Sequence, residues 1–126
     1  MSSDFIRRIK SEITHAEGAS GEIISQIEDE LERAPSAELW ILRGDAIQLS
    51  DDEEVDLDEV EASYLAALEL DPNCADAYES LGHFAFGVAD DPRAAAEYFR
   101  AAIARGAGAG AREGLAEAED ELAELG

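Results

Sequence analysis

The sequence predicts an all-α protein, and three observations carry that expectation. Twenty-four of the 126 residues are Ala while eight are Phe, Tyr or Trp, a balance that favours close-packed helices over sheets. Apolar residues recur every three or four positions between Gly and Pro breakers, and no segment reads as a strand. The hydrophobic content of 46% is ordinary for a folded domain, so the chain is expected to form one compact domain over residues 1–126 rather than an acidic, disordered tail.

Each helix has its own signal. In the first, Phe5, Ile6, Ile9, Ile13 and Ala16 share a face and are followed by Gly18 and Gly21. The second contains Ile23, Ile24, Ile27, Leu31 and Ala34 and stops at Pro35. Five more are expected at Ser36–Leu49, Leu57–Leu70, Ala75–Val88, Pro92–Arg105 and Ala111–Leu125. Asp56 with Glu59 three residues on reads as an N-cap with its capping-box partner. Asp91-Pro92 sets an N-cap before a proline at the first helical position, and Asp71-Pro72 ends one helix and opens the next turn.

The helices repeat. Tyr64-x-x-Ala67 recurs as Tyr98-x-x-Ala101 at an interval of 34, and Trp40-x-x-x-Gly44 recurs as Tyr78-x-x-x-Gly82 at an interval of 38. The four-residue difference is assigned to the acidic run Asp51-Asp52-Glu53-Glu54 between the two helices of the first copy. Gly44, Gly82, Ala67 and Ala101 are small enough for backbones to approach, while Trp40, Tyr64, Tyr78 and Tyr98 are expected to fill the space between layers.

These residues resemble the tetratricopeptide repeat family. Its pattern W-x-x-L-G-x-x-Y, then A-x-x-x-F, then a closing proline, is similar to Tyr78-Glu79-Ser80-Leu81-Gly82 followed by Ala94-Ala95-Ala96-Glu97-Tyr98 and Ala101, and to Trp40, Gly44, Tyr64, Ala67 and Pro72. The sequence departs from it at Arg43, where Leu is usual, at Val60, where Ala is usual, at Ala85, where Tyr is usual, and at Gly106, which replaces the second proline. The resemblance implies a helical hairpin array, an α-solenoid of about three helix pairs plus a C-terminal capping helix. The units are a degenerate pair over 4–35, a repeat with the acidic insertion over 37–72, a repeat over 75–106 and the cap over 111–125. On that cap Leu115, Ala118, Leu122 and Leu125 are expected inward and Glu113, Glu117, Asp120, Glu121 and Glu124 in water.

The resemblance also implies a concave groove, walled by the first helices of successive pairs, that binds a segment of a partner protein. Its positions fall at Glu38, Ile41, Asp45 and Gln48 in one copy and at Asp76, Glu79, His83 and Phe86 in the next, with Glu113 and Glu117 extending the row. Carboxylates mixed with Ile41 and Phe86 complement a basic, partly apolar segment; the alternative is that these are solvated faces of surface helices. The chaperone-tail specificity of one family subgroup, which needs a basic wall, is disfavoured by Asp45, Glu79 and His83. The phrase Glu53-Glu54-Val55-Asp56 resembles such a tail but is internal, and reads as a coincidence of the insertion.

Charge narrows the partner class. The net charge is −22, and a polyanion lacks the Lys and Arg that displace counterions from nucleic acid, so direct nucleic-acid and anionic-membrane binding are excluded. Residues 44–92 carry −15 with no Lys or Arg, and residues 93–112 carry +3. Such a field steers a basic partner, although solubility or adaptation to high salt accounts for the same composition, Lys10 being the only lysine. No run approaches the length of a membrane span and no export signal is read. Cys74 is the lone cysteine, which excludes an intrachain disulfide and fits a reducing, cytoplasmic setting.

No enzyme is expected. The carboxylates lie on wet faces without the burial that separates the pKa values of a catalytic pair. His15 and His83 have no metal spacing, and no phosphate-binding or nucleophile-elbow motif occurs. Cys74, at a turn into a helix, reads as a structural thiol. Asp51–Asp58 lacks the central glycine of a calcium loop, so neither cofactor nor metal is expected. Two alternatives to the groove-binding module stay open: a dedicated chaperone or immunity-like inhibitor of one partner, and an acidic mimic of nucleic acid that occupies a DNA-binding protein. The face of Phe5, Ile6, Ile9 and Ile13 is free to pack on its own array or on a second copy, so monomer and homodimer both stay open.

Overall fold

The computed structural model describes residues 2–16, 21–50 and 56–125, with side chains for 3–13, 21–50 and 56–125, and its regular elements are all helices. They are α1 Ser2–Ala16, α2 Gly21–Arg33, α3 Ala37–Gln48, α4 Leu57–Leu70, α5 Ala75–Gly87, α6 Pro92–Ala104 and α7 Ala109–Leu125. The expected turn at Gly18, the run Asp51-Asp52-Glu53-Glu54, the tail-like phrase through Val55 and the calcium reading of that run lie outside the described residues, as do the side chains of His15 and Ala16. Among the described residues no helix is long and apolar enough to cross a membrane.

Local chemistry sets the ends. Ser36 Oγ accepts the Leu39 amide at 3.1 Å and opens α3 as its N-cap. Asp91 does the same for the Ala94 amide at 3.1 Å, with Pro92 in the first helical position. Asp56 caps α4 by accepting the Asp58 amide at 3.0 Å. The expected capping box is not closed, because the Glu59 carboxylate is drawn instead to Arg43 of α3. Asp71 accepts the Asn73 amide at 3.1 Å, an Asx turn between α4 and α5. Gly106 closes α6 at φ 96°, with the Ala107 amide donating to the Ala102 carbonyl at 3.0 Å. Gly106 is therefore a hydrogen-bonded left-handed cap, and α7 starts two residues before the expected Ala111.

The chain forms two compact units, Met1–Leu70 and Asp71–Gly126. In the first, α1 and α2 both dock on α3, and α3 closes a hairpin with α4. Its core joins Ile6, Ile9 and Ile13 of α1 to Ile27 and Leu31 of α2 and to Leu39, Leu42 and Ala46 of α3. Where α3 crosses α4, the Tyr64 ring lies against Gly44, so close that a Cβ at Gly44 would stand 2.6 Å from Cε1.

In the second unit α6 packs against both α5 and α7, and α7 also touches α5. The ring that fills this unit is Phe99, fully buried with Gly82 on α5 and Gly114 on α7 both against it. This corrects the expected repeat register: Tyr98 is half-buried at the edge of the core. The buried set Val60, Tyr64 and Ala67 of α4 corresponds to Ala95, Phe99 and Ala102 of α6, an interval of 35, so the first hairpin is three residues longer than the second rather than four. The inward face of α7 is correspondingly Ala111, Gly114 and Ala118, with Leu115 and Leu122 half-buried. Leu125, expected inward, is 71% exposed, since it lies beyond the reach of the Phe99 layer.

Candidate functional site

The expected groove residues are divided between the two units, and the structure gives them unequal surroundings. On α3, Glu38 is exposed and Ile41 half-buried. Asp45 and Gln48 converge on one atom: the Tyr64 hydroxyl donates to Asp45 Oδ1 at 2.6 Å and accepts from Gln48 Nε2 at 2.7 Å. Both side chains therefore serve the α3–α4 contact by anchoring the tyrosine. In the second unit Asp76 is exposed in the first turn of α5, while Glu79 is half-buried with Oε2 3.6 Å from His83 Nε2. His83 is exposed and meets the Phe99 ring edge-on at 4.9 Å. Phe86 packs on the core of this unit, and Glu113 and Glu117 are exposed on α7. Gly110, one turn before Glu113, lies beside Glu79, where a Cβ would stand 2.7 Å from Oε2.

Burial pushes the Asp45 carboxyl above its ordinary value of 3.8, against the opposing effects of the Tyr64 hydrogen bond and the Lys10 charge. Tyr64 is also pushed up, by burial first and then by the adjacent Asp45, so its phenol stays protonated far into the alkaline range. For Asp45 the folded state holds the proton more tightly than the unfolded chain. Its stabilising contribution is complete below pH 3.8 and is lost as pH rises through the higher folded value. Asp45→Asn is therefore expected to unfold with a smaller stability loss between acid and neutral pH than the parent protein. Urea unfolding at both ends of the window checks this, with the exposed Glu38→Gln as control for net charge.

A second constellation lies in the first unit, on a different face of α3, and is centred on Arg43. Arg43 is 14% exposed and its guanidinium ties three helices together. It donates to Glu28 of α2 from Nε and Nη2 at 3.2 and 3.1 Å, to Glu59 of α4 at 3.0 Å and to Ser63 Oγ of α4 at 2.7 Å. Ser63 in turn donates to the Glu59 carbonyl, which leaves its buried hydroxyl satisfied. The Arg43 guanidinium also stands over the Trp40 ring at 5.7 Å.

Beside this network is an open cleft of ≈ 380 Å3, to which α2 contributes Leu31 and Glu32, α3 Trp40 and Arg43, and α4 Ala62 and Ala66. Glu28 and Glu59 reach its lining from either side of Arg43. Among the described residues no group of three or more His, Cys, Asp or Glu side chains is placed to hold a metal ion. Cys74 is a free, half-buried thiol at the N-cap of α5. No protein-family model matches the chain, and a search of curated proteins finds no similar sequence.

Proposed function

We propose that the protein is a non-enzymatic, cytoplasmic interaction module, a tetratricopeptide-like helical array that binds a basic, partly apolar segment of another protein. The observation that carries this reading is the exposed acidity of its helices. Glu38 on α3 and Asp76 on α5 face water with no ion-pair partner among the described residues. They lie within or beside the stretch of residues 44–92 that bears −15 without one compensating cation. Such uncompensated charge raises the encounter rate with a basic surface and makes the association sensitive to salt.

Asp45 is a poor reporter of binding, because its carboxylate holds Tyr64 and a charge reversal there disturbs the hairpin itself. Glu38→Lys and Asp76→Lys change only exposed charge. Each is expected to weaken capture of a basic partner by about tenfold and to leave the helical content unchanged. Capture that is indifferent to both reversals and to ionic strength sinks the reading. Displacement of the partner by duplex DNA, with no displacement by a short basic peptide, would favour nucleic-acid mimicry instead.

A further inference from the structure

We infer that the cleft between α2 and α4 is a docking site for an arginine of a partner protein, presented next to a large apolar side chain. The inference rests on the interaction reading above and supplies it with a place. The cleft has the volume of a small ligand site, which falls in a range of about 300–1,000 Å3, and the Trp40 ring, Leu31, Ala62 and Ala66 give it apolar walls. Its charged lining holds the carboxylates of Glu28, Glu32 and Glu59 against the single guanidinium of Arg43.

Arg43 does not neutralise that excess. Four of its five N–H donors are committed, to Oε2 of Glu28, Oε2 of Glu59 and the Ser63 hydroxyl, and Glu32 has no ion pair among the described residues. Glu28 and Glu59 remain about half exposed, at 48% and 50%, each with a second carboxylate oxygen turned to no described donor. A cavity with greasy walls and spare carboxylate oxygens at its edge complements a side chain whose stem is aliphatic and whose end is a planar cation. Arginine meets this better than lysine, since its guanidinium bridges two carboxylates and stacks on an indole. The neighbouring apolar residue of the partner fills the remaining space against Leu31 and Ala66.

Trp40 is the only tryptophan of the chain, so its fluorescence reports directly on the cleft. The probe is acetyl-Leu-Arg-Leu-Arg-amide, compared with acetyl-Leu-Glu-Leu-Glu-amide. The arginine peptide is expected to change Trp40 emission saturably, with an affinity that falls steeply between about 0.01 M and 1 M ionic strength, and the glutamate peptide is expected to do nothing. Glu32→Lys, which reverses an exposed, unpaired charge, is expected to weaken the arginine peptide by about tenfold or more. Ala62→Phe, which fills the cleft from an exposed position, is expected to abolish the response, with helical circular dichroism unchanged in both variants. Peptide binding that survives both changes but is lost in Glu38→Lys or Asp76→Lys overturns the cleft and leaves the basic-partner reading standing. Absence of any salt-sensitive binding by the parent protein overturns both. Low-salt self-association that consumes the same site and excludes the peptide also overturns the inference, since the occupant is then a second copy.

Discussion

Replacing Phe99 with Ala is expected to destabilise the second unit by about 3–5 kcal/mol, measured as a shift of the urea unfolding midpoint. Phe99 is fully buried, and the residues facing its ring on both sides are glycines, Gly82 on α5 and Gly114 on α7. No neighbouring side chain at those two positions can lean in to fill the space, so the cavity term persists. Against a typical domain stability of about 5–15 kcal/mol, that is a large fraction. Tyr98→Ala is expected to cost clearly less, because Tyr98 is only half-buried; equal costs would return the repeat register to Tyr98.

The two glycines test the same geometry from the other side. In a helix Ala is preferred to Gly by about 1 kcal/mol, yet a Cβ at Gly82 would lie 2.6 Å from Phe99 Cε1, and Gly114 presses the ring from α7. The ring has nowhere to retreat, so overpacking of about 1–3 kcal/mol outweighs the gain in propensity. Gly114→Ala is thus expected to destabilise, and Phe99→Leu to relieve part of that cost in the double variant. Strict additivity of the two changes would show that the ring and the glycine are not in contact.

Arg43→Ala is expected to cost the first unit about 1–3 kcal/mol. The guanidinium is nearly enclosed while its partners Glu28 and Glu59 are about half exposed, so the loss is smaller than for a fully buried pair, where the abandoned carboxylates cannot rehydrate. Part of the cost is packing, since the Arg43 guanidinium lies over the Trp40 ring. Arg43→Leu restores much of that packing without the charge, and its stability relative to Arg43→Ala divides the two contributions. A double-mutant cycle with Glu59→Gln, run at low and high salt, reads that ion pair itself; a coupling of zero would leave the polar role of Arg43 to Glu28 and Ser63.

The surroundings of Arg43 are set by residues distant in sequence. Here the facing positions are Glu28, Glu59 and Ser63, separated from Arg43 by 15, 16 and 20 residues. Such spacings leave no periodic signature. The one hint in the sequence was Arg43 standing where the resemblance has Leu.

Helix existence, order and ends were legible in the amino-acid sequence, because the forces that set them act over a few residues. Apolar spacing of three and four selects one buried face, and Ser36, Asp56, Asp71 and Asp91 satisfy backbone amides two or three residues away. The all-α class followed from the same local terms. What only tertiary packing decided was which of two adjacent aromatics enters the core. Ala94, Tyr98 and Ala101 have the same spacing as Ala95, Phe99 and Ala102, so the pattern alone admits both registers. The choice is made by shape: Gly82 and Gly114 leave one ring-sized slot, and the larger, hydroxyl-bearing Tyr98 is left at the edge while Phe99 fills it. Tertiary structure likewise brought Asp45 and Gln48 onto the Tyr64 hydroxyl, which lies 19 and 16 residues away in sequence. It also built the cleft around Trp40 from three helices, because side chains far apart in sequence become neighbours only when the helices that carry them are packed.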